Sequence, residues 1–236
     1  MTARRDGVPA APKATIAGQR ARSESDKETR RRHLLDAAET MLAARPYEGV
    51  TTAEVAAAAG LSKASAYTYF PTKESLFLAL LERSLERWLH ALASDLGRRS
   101  RTPRSLARRV ADSLAPEVGM RALLGRVHST LESNVPDDGI LAFKRYLGTV
   151  VDRGGALVEA ALPTLPRGAG QRVLVTLHAL VIGVGSLSTR SPNVARALAS
   201  DPALAQRFDI DFAAELASLL EVILTRWCSP AADGRS

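Results

Sequence analysis

The chain has 236 residues, 46% hydrophobic and 24% charged, a composition that excludes wholesale disorder. Its one cysteine, Cys228, excludes an internal disulfide scaffold, and no Cys/His cluster offers a metal site. The net charge of +7 is uneven, with 20 Lys and Arg against 12 Asp and Glu in residues 1–110 but 12 against 13 in residues 111–236, so the front half is expected to meet a polyanion.

Residues 1–25 carry Arg, Pro, Gly and Ser without an apolar period, which predicts a disordered basic tail and not a secretory signal. The helical signal starts near Asp26. Leu34, Ala38, Met41 and Leu42 then form one stripe that ends at Arg45-Pro46. Thr51-Thr52-Ala53-Glu54 fits a capping box ahead of a short helix, about Ala53 to Ala59, which Gly60 ends. Leu61 plugs the gap, and Ser62 caps a second short helix to about Tyr69. Pro71 breaks that helix. Thr72 or Lys73 opens a long one in which Phe77, Leu81, Leu85, Trp88 and Leu92 recur to about Leu96.

The arginines from Arg98 to Arg109 have no acid between them and are expected on a solvated face. Further helices are punctuated near Pro116, Pro136, residues 163–170, Pro192 and Pro202. Val173 to Val184 is the longest apolar candidate. Thr176 and His178 interrupt it, and it is too short for a membrane span, so a buried helix is expected. Phe212, Leu216, Leu219, Leu220, Ile223 and Trp227 make the cleanest amphipathic stripe, and residues 229–236 are expected to be a disordered tail. No period-2 alternation appears. The expected fold is all-α and the expected location is the cytoplasm, with no membrane partner.

Two short helices joined by a glycine turn are the mark of a helix-turn-helix, whose second helix enters the DNA major groove. Here the second helix opens with Ser62, Lys63, Ala64 and Ser65, small or polar residues that let the backbone approach base edges. Tyr47, Tyr67 and Tyr69 cluster in the same region, and a tyrosine hydroxyl can bond phosphate while its ring packs on sugar or a thymine methyl. The plainer alternative makes Tyr67 and Tyr69 core aromatics and Lys63 a solvated lysine. The basic half, the capping box and the Gly60 turn together favour DNA.

Residues 29–75, above all YEGVTTAEVAAAAGLSKASAYTYFPTKESLF from Tyr47 to Phe77, resemble the DNA-binding domain of TetR (tetracycline-repressor-like) transcriptional regulators. The resemblance implies a three-helix helix-turn-helix domain over 26–72. A helical effector-binding and dimerisation domain would follow over 73–228. It also assigns Lys63, Ala64, Ser65 and Tyr67 to the groove, and Thr52, Ser62, Tyr69 and Lys73 to the flanking phosphates of a double-stranded operator. Ala64 stands where glycine is common in that family. Ala66 stands where a larger apolar residue packs inward, so the helix is expected to have lost packing worth roughly 1–2 kcal/mol. Phe70, Val55 and Leu61 are expected in the core and His33 in solvent. Arg30, Arg31 and Arg32 are expected to lean toward DNA.

One short recognition helix covers too few base pairs for useful specificity, so a homodimer is expected, joined through the helices at 173–187 and 212–227. If the resemblance extends to the back half, Trp88, Met120, Leu124, His128, Phe143, Tyr146 and His178 are candidate lining for a largely apolar small-molecule effector. A repressor released by that effector is the first functional expectation, and an effector-independent architectural DNA-binding protein the alternative. No nucleophile elbow or phosphate-binding glycine loop points to catalysis, and no cofactor is called for.

Overall fold

The computed structural model describes residues 14–97 and 99–229, with side chains from residue 24 onward. Helix α1 (Ala14–Ala44), a 3-10 turn (Tyr47–Gly49), α2 (Thr52–Ala58), α3 (Lys63–Tyr69) and α4 (Lys73–Leu96) form the front of the molecule. Behind them come α5 (Pro103–Leu114), α6 (Val118–Leu124) and a turn of π-helix (Val127–Leu131). The rest is α7 (Asp137–Ala161), α8 (Ala169–Ser188), α9 (Pro192–Leu198), α10 (Pro202–Arg207) and α11 (Phe212–Cys228). No strand occurs among the described residues, as the missing period-2 signal led one to expect.

Helix α1 corrects one boundary, because it begins at Ala14 where a disordered tail was expected up to residue 25. Residues 14–25 have no apolar period for a pattern to catch, but they hold Ala14, Ala17, Ala21, Arg20 and Arg22, which favour helix on propensity alone. Expectations for residues 1–13 and 230–236 fall outside the described residues. Pro192 and Pro202 also act differently from simple breaks. Each is the first residue of a short helix, capped by Ser191 or Asp201 accepting from a backbone N–H three residues on.

Helix α4 buries Leu76, Phe77, Leu80 and Leu81 at its front end and Leu85, Trp88, Leu89 and Leu92 further along. It packs on α1 in front and on α5, α6 and α7 behind, so one helix runs through both parts of the core. Arg83 pairs with Asp36 and Glu39 of α1, and Arg87 with Glu39, on the half-exposed side of the α1–α4 contact. At the other end Arg101 donates to the carbonyls of Asp95 and Leu96, and Arg109 pairs with Asp95 at 2.6 Å. Arg101 and Arg109 therefore close the C-terminus of α4, where cations are favoured, while Arg99, Arg104 and Arg108 are exposed as expected. Arg98 lies outside the described residues.

Helix α8 is the one described helix with the length and apolar composition to cross a bilayer. It buries Val173, Leu174, Leu177, Val181 and Val184, and it packs on α6, α7 and α11. Its crossing with α7 is close. A Cβ on Gly170 would stand 2.2 Å from the Gly155 carbonyl oxygen, so only glycine fits. Glu159 of α7 reaches the same end of α8, where its Oε1 accepts from the N–H groups of Gly168 and Gly170 at 2.8 and 2.9 Å. That carboxylate supplies the cap that Gly168, without a side chain, cannot.

Because the clash at Gly170 is with backbone, Gly170→Ala should cost roughly 3 kcal/mol. Urea denaturation followed by circular dichroism checks this. Gly183→Ala, with nothing near its would-be Cβ, should stay near wild type.

Candidate functional site

Thr51 opens α2 with the expected capping box: its Oγ1 accepts from Glu54 N–H, and Glu54 Oε2 accepts from Thr51 N–H at 3.0 Å. Arg45 at the end of α1 pairs with the other Glu54 oxygen at 2.9 Å, which fastens the start of α2 to the preceding helix. Bonds from Thr51 and then Arg45 hold this exposed carboxyl below its ordinary pKa. Gly60 ends α2 at φ +70, a left-handed conformation that suits glycine, and Leu61 N–H bonds back to Ala56 at 2.8 Å. Ser62 Oγ then accepts from Ser65 N–H at 3.1 Å and starts α3. These caps and the Gly60 turn join the two short helices, which also pack on each other.

Helix α3 divides cleanly. Ala66, Tyr69 and Phe70 fall at i, i+3 and i+4 and face the core, Ala66 and Phe70 fully and Tyr69 partly. Ser62, Lys63, Ala64, Tyr67 and Thr68 are exposed and Ser65 half so, with Tyr67 keeping 41% of its surface open. Lys63 Nζ stands 5.8 Å from the Tyr67 ring centre, so a cation and a phenol share one face. Behind the helix, the Arg31 guanidinium lies 5.3 Å over the Phe70 ring, while Arg30 and Arg32 are exposed.

Of the eight residues expected at DNA, Ser62, Lys63, Ala64, Ser65 and Tyr67 are thus brought together on one surface. Of the other three, Thr52 is buried, and Tyr69 and Lys73 are half-buried. Thr52 is buried because it shares an inward face with Val55 and Ala56 at i, i+3 and i+4. Tyr69 packs partly against the core for the same reason. Lys73 turns its ammonium to the Tyr47 carbonyl oxygen at 2.7 Å and sits 3.9 Å over the Tyr47 ring. Burial holds the Lys73 amine below its usual range. Thr68 was missed, although Ala64, Tyr67 and Thr68 at i, i+3 and i+4 mark the outward face by the same periodicity.

Tyr47 is the hub of this end. It is buried, meets Phe77 edge-on at 4.9 Å, and its hydroxyl faces Glu74 at 3.3 Å. Burial, then the Glu74 charge, raises its phenol pKa above the ordinary value. The adjoining Glu48 bonds Arg126 through two pairs of atoms, at 2.9 and 3.2 Å. Arg126 immediately precedes the π-turn, so this pair bridges the front and back of the molecule.

Beyond that bridge lies a half-open apolar cavity of about 210 Å³ bounded by α4, α5, α6, the π-turn, α7 and α8. Of the residues expected to line it, Trp88, Met120, Leu124, His128 and His178 do so. Phe143 and Tyr146 do not. Phe143 is fully buried core, and Tyr146 lies on the α4 side of α7, donating to the Glu82 carbonyl oxygen at 2.7 Å. Burial, then the charges of Glu86 and Glu82, pushes the Tyr146 hydroxyl up to about 12. Leu147, Val150 and Val151 present the face of α7 that does reach the cavity.

Residues 34–80 match the family described as bacterial regulatory proteins, tetR family, and residues 82–225 match the tetracyclin repressor-like C-terminal domain. The nucleoid occlusion factor SlmA of Shewanella pealeana is 43% identical over 58 residues, 25% of this chain and 29% of SlmA. SlmA of Shewanella frigidimarina is 42% identical over 60 residues, 25% of this chain and 30% of its own length. The chain therefore matches under a third of the length of these relatives. Among solved structures, the fatty acid degradation regulator FadR of Bacillus halodurans superposes with a TM-score of 0.52 at 16% identity, over 87% of this chain and 97% of FadR. A TetR transcriptional regulator of Rhodococcus sp. RHA1 gives 0.51 at 17% identity, over 84% and 98%. At such identities the likeness is one of fold.

The geometry at Tyr47 separates two roles for Lys73. Lys73→Ala should cost about 2 kcal/mol of stability through the lost charged hydrogen bond and ring contact. The slope of log DNA affinity against log salt should stay at the wild-type value, where losing a phosphate contact would reduce it by about one.

Proposed function

The chain belongs to the tetR family of bacterial regulatory proteins, and from that premise we propose that it is a sequence-specific, ligand-responsive homodimeric repressor acting in the cytoplasm. The observation that carries the DNA side is the two-sided α3, with Ala66 and Phe70 inward and Ser62, Lys63, Ala64, Tyr67 and Thr68 outward at a helix start. Short side chains in the first turn let the backbone reach base edges. Lys63 and Tyr67 supply a cation and a hydroxyl for phosphate or groove contacts. Arg30 and Arg32, exposed on α1, add positive charge.

Pairing has its own support. Val175 and Leu187 on α8 and Leu219 and Val222 on α11 are exposed apolar residues on two helices that already pack on each other. The α9–α10 hairpin between them buries nothing and exposes Val194 and Leu204, with Phe208 exposed just beyond. A second copy covering these faces would give a four-helix seam and set two copies of α3 roughly 34–36 Å apart, one turn of DNA.

The cavity supports ligand control. Helix α6 lines it through Met120 and Leu124 and also packs on α1 and α4, with Leu42 of α1 only 3.4 Å from where a Gly119 Cβ would stand. A ligand displacing α6 or the π-turn would act on α1 directly and on the Tyr47 hub through Arg126–Glu48. It would then favour a conformer with the wrong spacing of recognition helices. An architectural protein without an effector has no use for an apolar cavity at this junction, and it would bind random and operator DNA equally.

Lys63→Ala and Tyr67→Ala should each weaken binding to a selected operator by about 10- to 100-fold. A gel-shift titration with random-sequence competitor measures it. Wild-type affinity in the double variant would end the assignment of α3 to the groove. Val222→Glu should convert the dimer to monomer in sedimentation velocity at micromolar protein, since burying two unpaired carboxylates in one seam costs about 3 kcal/mol or more. Operator binding should fall with it.

A further inference from the structure

We propose that the apolar cavity takes a compact apolar weak acid, with its hydrocarbon body among Leu124, Val151, Leu177 and Val181 and its carboxylate at the His128–His178 edge. This deepens the reading of the cavity as the effector site, but the ligand class stands on the lining itself. A volume of about 210 Å³ holds a small molecule. At about 30 Å³ for each water-sized group in a liquid, the enclosed part holds roughly seven non-hydrogen atoms, and the open side leaves room for a few more.

Polar atoms in the wall are few and one-sided. The Trp88 indole N–H is already spent on Ser113 Oγ at 3.0 Å, which leaves the two imidazoles as the cavity's hydrogen-bonding groups. No carboxylate or hydroxyl lines the space. His128 and His178 meet edge to face at 5.7 Å, one on the π-turn and one on α8. The charged groups beside them are Lys144 of α7 and Glu132 just past the π-turn. Glu132 is already paired with Lys144 at 2.6 Å and stands 3.6 Å from His128. An amine entering this cavity would find only imidazole nitrogens as acceptors and no carboxylate in the wall to balance its charge. An alcohol would satisfy one ring, whereas an anion would draw on both rings.

The protonation of the pair points the same way. Burial first, then His128 and Lys144, holds His178 below the ordinary imidazole range, so in the free protein the ring is neutral near pH 7. A carboxylate between the rings reverses that sign by stabilising imidazolium. Binding would therefore take up a proton. A group whose pKa rises on binding contributes affinity that is fully present below its free pKa and is lost as pH rises through its bound value.

The test uses the full chain without DNA, titrated calorimetrically at pH 6.5 and 8 with hexanoate and benzoate, then with 1-hexanol, benzyl alcohol and hexylamine. The carboxylates should bind at least about tenfold more tightly than the alcohols at pH 6.5, the worth of exchanging a neutral for a charge-assisted hydrogen bond. They should weaken as pH rises, by at most about tenfold per pH unit. Two buffers of different ionisation enthalpy should report proton uptake. His178→Gln and the more exposed His128→Ala should each erase the preference for acid over alcohol while alcohol binding persists. Val181→Phe should abolish both.

Equal affinity for acids and alcohols, an acid preference surviving both histidine substitutions, tighter binding of the amine, or no binding of any probe overturns the proposal. A carboxylate that binds as described yet leaves the operator complex intact preserves the ligand class and defeats the effector reading. Failure of Lys63→Ala and Tyr67→Ala to weaken operator binding touches neither result.

Discussion

Every part of this protein depends on the continuous packing of α4. At 24 residues and about 1.5 Å per residue, the helix is roughly 36 Å long, enough to begin just after α3 and end beyond the apolar cavity. Its first turns bury Phe77 against Tyr47, which in turn holds Lys73 and Glu74. Its middle turns place Leu85 and Trp88 in the cavity wall. The same rod therefore sets the position of the 3-10 turn before α2 and the shape of a space in the back half of the molecule. A rigid helix with buried residues at both ends transmits displacement because its packing on each side has few alternative arrangements.

A rod alone would couple the two ends too uniformly for a switch. The second connection, through α6 and the π-turn, is of a different kind. Helix α6 has only 7 residues and touches α1, α4 and α8 at once. The π-turn that follows closes with bonds from Leu131 N–H to Arg126 and from Glu132 N–H to Val127, one residue wider than an α-helix. Such turns are rare and tend to sit at functional positions. Here one carries His128 into the cavity while the residue before it, Arg126, reaches Glu48. The guanidinium holds the Glu48 carboxyl below its ordinary range, and both partners are partly exposed. A surface pair of that sort is worth little as stability, so its value lies in orientation. It can open at small cost.

How much of this was readable in the sequence follows from how local each feature is. The capping box at Thr51, the Gly60 turn and the Ser62 cap are fixed by residues within four positions of one another, and all three stand where the sequence placed them. Which side of a helix faces inward depends on partners far along the chain. Thr52, Tyr69 and Lys73 suit phosphate by residue type, yet helical phase buries Thr52 and half-buries Tyr69, and Tyr47 engages the half-buried Lys73 ammonium. Phe143 and Tyr146 failed for the same reason on α7, where Leu147, Val150 and Val151 hold the cavity-facing phase. The early start of α1 escaped because helix propensity without an apolar stripe leaves no period to detect. The Arg126–Glu48 bridge spans 78 positions, and no short-range pattern announces it.

Helix α3 packs on α2, and Ala66, fully buried, is the residue it turns inward. A larger residue there would have to displace packed neighbours, and the outward face would shift with it. A buried alanine lets α3 sit low, and it leaves Phe70 and the Arg31 stacked on it to supply the packing that Ala66 does not. Arg31 belongs to α1, the helix that also carries Arg30 and Arg32. On the outer face Ala64 and Ser65 keep the profile thin, so Lys63, Tyr67 and Thr68 project furthest. A helix of 7 residues has room for only one such cluster. Specificity on this scale cannot come from one copy, since a handful of side chains reads only a few base pairs. Under the proposed pairing the exposed apolar faces of α8 and α11 would answer that shortage, because a second copy held there would double the number of bases read without enlarging α3.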